Sequence, residues 1–289
     1  MTDHSLGCPS QDDGSSKYLE IKFARRHSEV KFTLRFHVVR LKVENVKSAT
    51  CVRVGTAGWS IPNEIRSQFA QGDSLLQRYA TRFNAVEINS SFYRSHRAKT
   101  YEKWASEVPP EFLFAVKLPR SITHHAKLLD IDELLKQFAG EVEGLDSKLG
   151  CVLVQLPPSL EFNQLHAKFA FESLRKAFRC AIACEPRNQT WISSEVDKLF
   201  ATTTVARVAA DPARHENFSV PGGDTSTRYY RLHGSPRIYY SEYNSQVLES
   251  YAGAILEQGC ANWCIFDNTA SGHAILNALK MQHLLARNG

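Results

Sequence analysis

Cys151-Val152-Leu153-Val154-Gln155-Leu156-Pro157-Pro158 reads as a short strand, apolar on both faces, that ends on one polar residue and a stiff rim. An apolar run with no alternation fits a parallel strand covered on both sides. Each proline holds its own φ and restricts the residue before it, so the chain leaves the strand end along a constrained path. Seven further runs have the same strand character, at 52–55, 85–89, 113–117, 181–185, 205–209, 228–233 and 263–267. Between most of them the apolar spacing changes to helical period. Leu75, Leu76, Tyr79 and Phe83 share one side of 74–83, and Tyr101, Trp104, Ala105 and Val108 share one side of 101–108. The stretches 132–145 (Leu135, Phe138, Val142), 247–256 and a final helix with Ile275, Leu276, Leu279 and Leu284 follow the same rule. Eight β units, most followed by a helix, in about 240 residues predict an α/β fold: a single (β/α)8 barrel of the TIM type. A doubly wound sheet is disfavoured, because Gly55-Thr56-Ala57-Gly58-Trp59 lacks the third glycine of a dinucleotide fingerprint and runs into Pro62. Between the sixth and seventh strands, residues 211–227 hold Pro212, Pro221, Gly222 and Gly223, so a long loop is expected there in place of a helix.

Side chains two apart on a strand share a face. One face carries Ala85-Glu87-Asn89, Leu113-Ala115-Lys117, Cys151-Leu153-Gln155, Ala181-Ala183-Glu185, Tyr229-Arg231-His233 and Trp263-Ile265-Asp267. The other is apolar throughout (Val86, Ile88, Phe114, Val116, Val152, Val154, Ile182, Cys184, Tyr230, Leu232, Cys264, Phe266) and suits a helix layer. The polar groups are therefore expected to point inward, at the C-terminal ends of the strands where barrels of this type place their sites. A barrel interior also buries paired charges, such as Arg231 with Glu185, simply to fill its upper layer. Six charged groups converging in one enclosure are expensive to bury without use, which favours a functional site.

The length of 289 residues and mass of 32.6 kDa allow one or two domains. Hydrophobic residues at 43% and a mean hydropathy of -0.32 exclude a mainly disordered chain. No apolar run approaches the ~20 residues of a membrane span, so no membrane role is expected. The net charge is +5, with 9 Lys and Arg against 6 Asp and Glu in residues 1–50 and 26 against 24 in the rest. The body is nearly neutral, so a nucleic-acid partner is allowed but not favoured. Residues 1–50 are expected to be an N-terminal extension preceding the barrel domain of 51–289. Their first part is a polar, partly disordered tail, and Val30, Phe32, Leu34, Phe36 and Val38 have strand alternation: a ribbon on the body, or upstream sequence with no selected role. Seven cysteines without a C-x-x-C pair argue against a zinc site or disulfide framework and for a reducing compartment, the cytoplasm. Asp3, Asp12 and Asp13 and the lack of an apolar leader fit neither a secretory signal nor an organelle presequence.

Six motifs occur in order: Gly55-Thr56-Ala57-Gly58-Trp59; Val86-Glu87-Ile88-Asn89-Ser90-Ser91-Phe92-Tyr93; Phe114-Ala115-Val116-Lys117-Leu118-Pro119-Arg120 with Ile122-Thr123-His124; Gln155-Leu156-Pro157-Pro158; Arg231-Leu232-His233-Gly234; and Asn268-Thr269 with Gly272-His273-Ala274. As a set they resemble the YecE-like family, domain of unknown function 72, from about Val52 to the C-terminus. The resemblance implies a TIM-barrel-like fold and supplies no established reaction. Two positions depart from the family pattern. Asn188 stands in Glu185-Pro186-Arg187-Asn188-Gln189-Thr190-Trp191 where members have His, and Asp267 stands where they have Asn.

Three readings of the site follow. The first is an enzyme acting by acid/base chemistry on a small anionic or nucleotide-like substrate. Glu87 or Glu185 would be the base, His233 its acid/base partner, and Lys117 a stabiliser of developing negative charge or a Schiff-base amine. Trp59, Asn89, Tyr93, Arg120, His124, Gln155, Arg187, Trp191, Arg231, Asp267 and Asn268 would bind the substrate, with Arg187 and Arg231 as anion clamps. The second is metal-assisted phosphodiester hydrolysis with Glu87, Glu185, Asp211, His233 and Asp267 as ligands for a divalent ion, opposed by Lys117, Arg187 and Arg231 on the same rim. The third is a non-catalytic binder of a nucleotide or RNA end. No cofactor is expected in the first reading.

Overall fold

The computed structural model describes residues 52–257 and 261–288. The expected extension 1–50, with its strand-like run, lies outside the described residues. The chain has an α/β fold built on parallel strands. One sheet runs β1 (Val52–Thr56), β10 (Ala261–Phe266), β9 (Thr227–Leu232), β7 (Ala209–Asp211); the other runs β2 (Ala85–Ile88), β3 (Leu113–Lys117), β4 (Leu149–Gln155), β5 (Ala181–Glu185), β6 (Val205–Arg207), β8 (Gly222–Gly223). All pairings are parallel except β6 with β8.

The two sheets approach each other at two places. The expected sixth strand is divided at Val208, so that β6 pairs with β5 while β7 pairs with β9. Val208 N–H still reaches the Cys184 carbonyl at 2.8 Å. Between β1 and β2, side chains replace a regular ladder. Asn84 accepts from Val54 N–H (3.0 Å) and donates to the Val52 carbonyl (2.9 Å), and the Tyr79 hydroxyl accepts from Thr56 N–H (2.9 Å) and donates to the Ala85 carbonyl (3.0 Å). Gly55 sits at this seam because a Cβ there would lie 2.1 Å from the Ala85 carbonyl oxygen.

The helices are α1 (Leu75–Ala80), α2 (Ser90–Tyr93), α3 (Ala98–Ser106), α4 (Asp132–Val142), α5 (Gln164–Ala177), α6 (Ser194–Thr202), α7 (Ser245–Leu256) and α8 (His273–Asn288). Ser74, Asn163, Ser193 and Asn244 cap α1, α5, α6 and α7 by accepting from backbone N–H groups of the first turn. Residues 212–226 hold only a 3-10 turn at Glu216–Phe218 and β8. Gly223, at φ 69°, lets this loop lie against β6, where a Cβ would fall 2.4 Å from the Val205 carbonyl.

Strand parity sorts the core into two clusters. One, against the helices, contains Val86, Ile88, Phe114, Val116, Val152, Val154, Ile182, Cys184, Tyr230, Leu232, Cys264 and Phe266. The other contains Ala85, Ala115, Cys151, Leu153, Ala183, Ala206, Val208, Tyr229, Trp263 and Ile265. Tyr229 and Trp263 stack at its base, 5.9 Å apart and 11° from parallel. Above this second cluster, along the same strand faces, come the charged residues. None of the described helices is long and apolar enough to cross a membrane.

Candidate active site

The strand that follows the division at Val208 supplies the centre of the site. Arg231, near the end of β9, has no solvent exposure and is surrounded by carboxylates. It bonds Glu87 through Nε and NH2 (3.0 and 2.7 Å), Glu185 through NH1 (3.0 Å) and Asp267 through NH2 (2.9 Å), with a longer NH1 contact to Gln155 (3.4 Å). Burial alone would discharge the guanidinium, but Asp267, Glu87 and Glu185 outweigh it and hold it charged. Glu87 also accepts from the Tyr229 hydroxyl at 2.8 Å, so both its oxygens are engaged. Two expectations change here. Arg231 is not free to clamp a ligand anion, and Glu87 is not free to act as a base, because each is the other's buried partner.

Nearer the surface, His233 lies between two carboxylates, with Nδ1 2.9 Å from Asp267 and Nε2 3.3 Å from Glu185. Burial opposes its charge, yet Glu185 and Asp267 together raise its pKa above the ordinary histidine value, so the imidazolium donates to both. Burial would neutralise Glu185, but Arg187, His233 and Arg231 hold its carboxyl well below the usual range. Asp267 is likewise lowered against its burial, first by Arg231 and then by His233. Arg187 chelates Glu185 Oε1 through Nε (3.0 Å) and NH2 (2.8 Å) and keeps a fifth of its side chain exposed. Asp267 thus adds negative charge that binds both Arg231 and His233.

Lys117 at the end of β3 is different. It is buried, its Nζ sits 4.2 Å from the centroid of the Phe92 ring, and it makes no hydrogen bond or ion pair with any described residue. Burial, followed by the charge of Arg231, lowers its pKa to about 8 against the more distant pull of Glu87, Glu185 and Asp267. His124 stands close by, with Nδ1 2.9 Å from the Thr123 hydroxyl and its ring edge-on to Phe92. Burial and the charges of Lys117, Arg187 and Arg120 favour its neutral form. Arg120 is exposed and donates through Nε to His125 at 3.1 Å. Asn89 donates to Asp267 Oδ1 at 3.4 Å, which directs its amide nitrogen to the carboxylate and leaves its buried oxygen without a donor. A cavity of about 50 Å³ borders this cluster on the side of β5, β7 and β9, walled by Arg187, Arg214, Phe218, His233, Ile238 and Tyr239.

The structure therefore brings Glu87, Lys117, Glu185, His233, Asn89, Gln155, Arg187, Arg231 and Asp267 together, with Arg120 and His124 beside them. It separates four others from the cluster. Trp191 was expected to bind substrate, but it is buried between α5 and α6, donates to the Leu160 carbonyl (2.9 Å) and packs on Phe162, Phe171 and Phe200. Asn268 is fully buried, and its amide ties Ser241 to Asn277 of α8, so it braces the loop after β9. Trp59 is half-buried edge-on against Trp104. Tyr93 is 72% exposed on the outer rim. Asn188 caps the turn Gln189–Trp191 and donates to the Pro158 carbonyl, a brace between the ends of β4 and β5. Tyr229 and Phe92 are not among the expected site residues, although Tyr229 shares the parity of Arg231 and sits two residues before it. Among the described residues no group of three or more His, Cys, Asp and Glu side chains is arranged to hold a metal ion.

Parallel strands alternating with helices, and ionisable groups gathered at the strand C-termini, define an α/β protein with a candidate site at that end. The family model described as Protein of unknown function DUF72 matches residues 53–289, and the chain belongs to this family. It is 26% identical over 267 residues to the UPF0759 protein YunF of Bacillus subtilis, covering 81% of this chain and 94% of that protein. It is 29% identical over 120 residues to the UPF0759 protein YecE of Escherichia coli K12, covering 42% and 43% of the two chains. The crystal structure of a DUF72 family protein from Thermotoga maritima matches with a TM-score of 0.69 at 23% identity, over 82% of this chain and 99% of that one. That likeness concerns the fold.

Proposed function

We propose that the two sheets close into a (β/α)8 barrel through the seams at Val208 and at Asn84 and Tyr79, and that its C-terminal mouth is the active site of an enzyme for a small anionic or nucleotide-like substrate. One observation carries the functional reading. Every carboxylate in the cluster is engaged by Arg231, Arg187 or His233, while the enclosed ammonium of Lys117 has no counter-ion of its own. Positive charge that the protein leaves unmet in an enclosure is most readily met by a ligand anion. Arg187, Arg120 and Lys117 are the groups that would face that anion. His124, biased to the neutral form, is the proton acceptor, and Lys117 stabilises negative charge as it develops, while His233, charged between two carboxylates, holds Glu185 and Asp267 in place. The metal-assisted alternative has less support, because three of its ligands, Glu87, Glu185 and Asp267, already surround a guanidinium.

Titration calorimetry of the full chain with inorganic phosphate and with nucleoside monophosphates tests the reading. Saturable binding that weakens at least roughly tenfold in Lys117→Met supports it, a loss of about 1.4 kcal/mol. Failure of the wild-type chain to bind any of these anions removes it.

A further inference from the structure

The reactive capacity of Lys117 follows from its surroundings. Its backbone is held, since the Ser91 hydroxyl donates to its carbonyl at 2.7 Å and the next residue's N–H bonds β4. Its amine lies over an apolar ring face, and it meets no acceptor. Beside it, at the end of the neighbouring strand, the Asn89 oxygen is a buried acceptor that meets no donor. Two adjacent and complementary groups are thus each without a partner. A desolvated lysine next to another cation is the recognised condition for a nucleophilic amine, and both elements are present here.

We propose that Lys117 forms an iminium with a small aldehyde or ketone that carries a carboxylate or phosphate, an inference that rests on the anion-binding reading of the mouth. The neutral amine adds to the carbonyl carbon, forming the C–N bond as the carbonyl π pair moves to oxygen. The nitrogen releases a proton to His124, which returns it to the alkoxide oxygen. A proton taken from solvent by the carbinolamine hydroxyl then expels water as the nitrogen lone pair forms the C=N bond. In sum, one carbonyl compound, one lysine amine and one proton give one iminium and one water. The iminium N–H and a substrate hydroxyl are donors of the kind that the Asn89 oxygen lacks. Arg187 and Arg120 meet the anionic substituent.

The test uses the full wild-type chain with glyoxylate, glyceraldehyde 3-phosphate and uncharged glycolaldehyde in the presence of sodium cyanoborohydride, whose hydride reduces an iminium to a stable secondary amine. Peptide mapping by mass spectrometry compares Lys117 with Lys136, whose side chain is 80% exposed. The inference expects labelling of Lys117 by the two anionic probes at least roughly tenfold faster than of Lys136 at neutral pH, since an ordinary lysine titrates near 10.4. It expects that labelling to saturate with probe, to be suppressed by inorganic phosphate and to level off above about pH 8, while Lys136 continues to rise. Labelling of Lys117 no faster than Lys136 overturns the inference. Equal labelling by glycolaldehyde overturns the anionic substrate class. If calorimetry shows phosphate bound while Lys117 stays unlabelled, the covalent step alone fails and the anion-binding mouth stands. If phosphate does not bind either, both fail.

Discussion

Arg231 and Lys117 are two buried cations at the C-terminal ends of β9 and β3, and the protein treats them in opposite ways. Arg231 meets three carboxylates and a glutamine at hydrogen-bonding distance, and none of its surface is exposed. Lys117 meets one aromatic ring. Both are costly to desolvate, but only the arginine has that cost offset within the fold. The difference separates a half of the charged layer whose charges pair with one another from a half that holds an ammonium without an ion pair among the described residues. The nearly neutral balance of residues 51–289 hides this, because it is made of a satisfied cluster beside an unsatisfied amine.

The hardest way to break the comparison is to remove the arginine. Arg231→Met leaves Glu87, Glu185 and Asp267 facing one another without their shared partner, and a buried pair broken on one side costs about 3–5 kcal/mol. Urea unfolding of the variant should show a loss of that order, or a chain that fails to fold. A loss under about 1 kcal/mol would mean that the carboxylates find other partners and that the arginine is not the structural centre.

Lys117→Met should do the reverse, with a pH dependence that the arginine variant lacks. The lysine binds its proton up to the usual 10.5 in the unfolded chain but only to about 8 in the folded one. Below pH 8 the wild-type fold carries the whole penalty of holding the charge. Between pH 8 and 10.5 the unfolded state holds more protons, so raising the pH relieves the penalty and favours the wild-type fold. The variant should therefore be more stable than wild type at pH 7, by at most about 3 kcal/mol at 1.36 kcal/mol per pKa unit. The advantage should shrink towards pH 10. Comparing the two chains in urea at pH 7, 8.5 and 10 checks this. A variant less stable than wild type at pH 7, with a gap that does not change with pH, would place Lys117 with Arg231 as a structural cation.

Binding sharpens the contrast on a smaller scale. Arg120 is exposed and hydrogen-bonded only to His125, so Arg120→Ala should weaken phosphate by about two- to threefold, under 1 kcal/mol. Stability should not change. An affinity that does not move in calorimetry would restrict the anion contacts to Lys117 and Arg187.

The sequence made one half of this picture legible and not the other. Parity along Ala181-Ile182-Ala183-Cys184-Glu185 and its seven companion runs separates the two core clusters, because a period of two needs no tertiary information. The gathering of Glu87, Lys117, Glu185, Arg231, His233 and Asp267 follows from the same rule. Which charges satisfy one another does not follow, since it depends on distances across strands that are far apart in the chain: Glu87 and Arg231 are 144 residues apart. Trp191 shows the same limit. A tryptophan after a strand end reads as a ring for stacking a ligand, but the turn Gln189–Trp191 folds it back between α5 and α6. The division at Val208 was also not legible, because a strand that changes partners midway keeps an unbroken apolar pattern.

A last change probes the structural half without removing a charge. The Tyr229 hydroxyl donates to Glu87 at 2.8 Å from a fully buried ring stacked on Trp263, and burial together with the Glu87 charge keeps it protonated. Tyr229→Phe keeps the ring and the stack and deletes one donor. Glu87 retains Arg231 on both oxygens, so the cost should be about 1–1.5 kcal/mol, a hydrogen bond to a charged group whose other partners remain. Phosphate affinity should stay at the wild-type value, because Glu87 and its partners lie below the groups that face the ligand. Denaturation and calorimetry on the same variant separate the outcomes. A change in affinity larger than the change in stability would show that the buried layer transmits to the mouth, and the two halves would then be one coupled site.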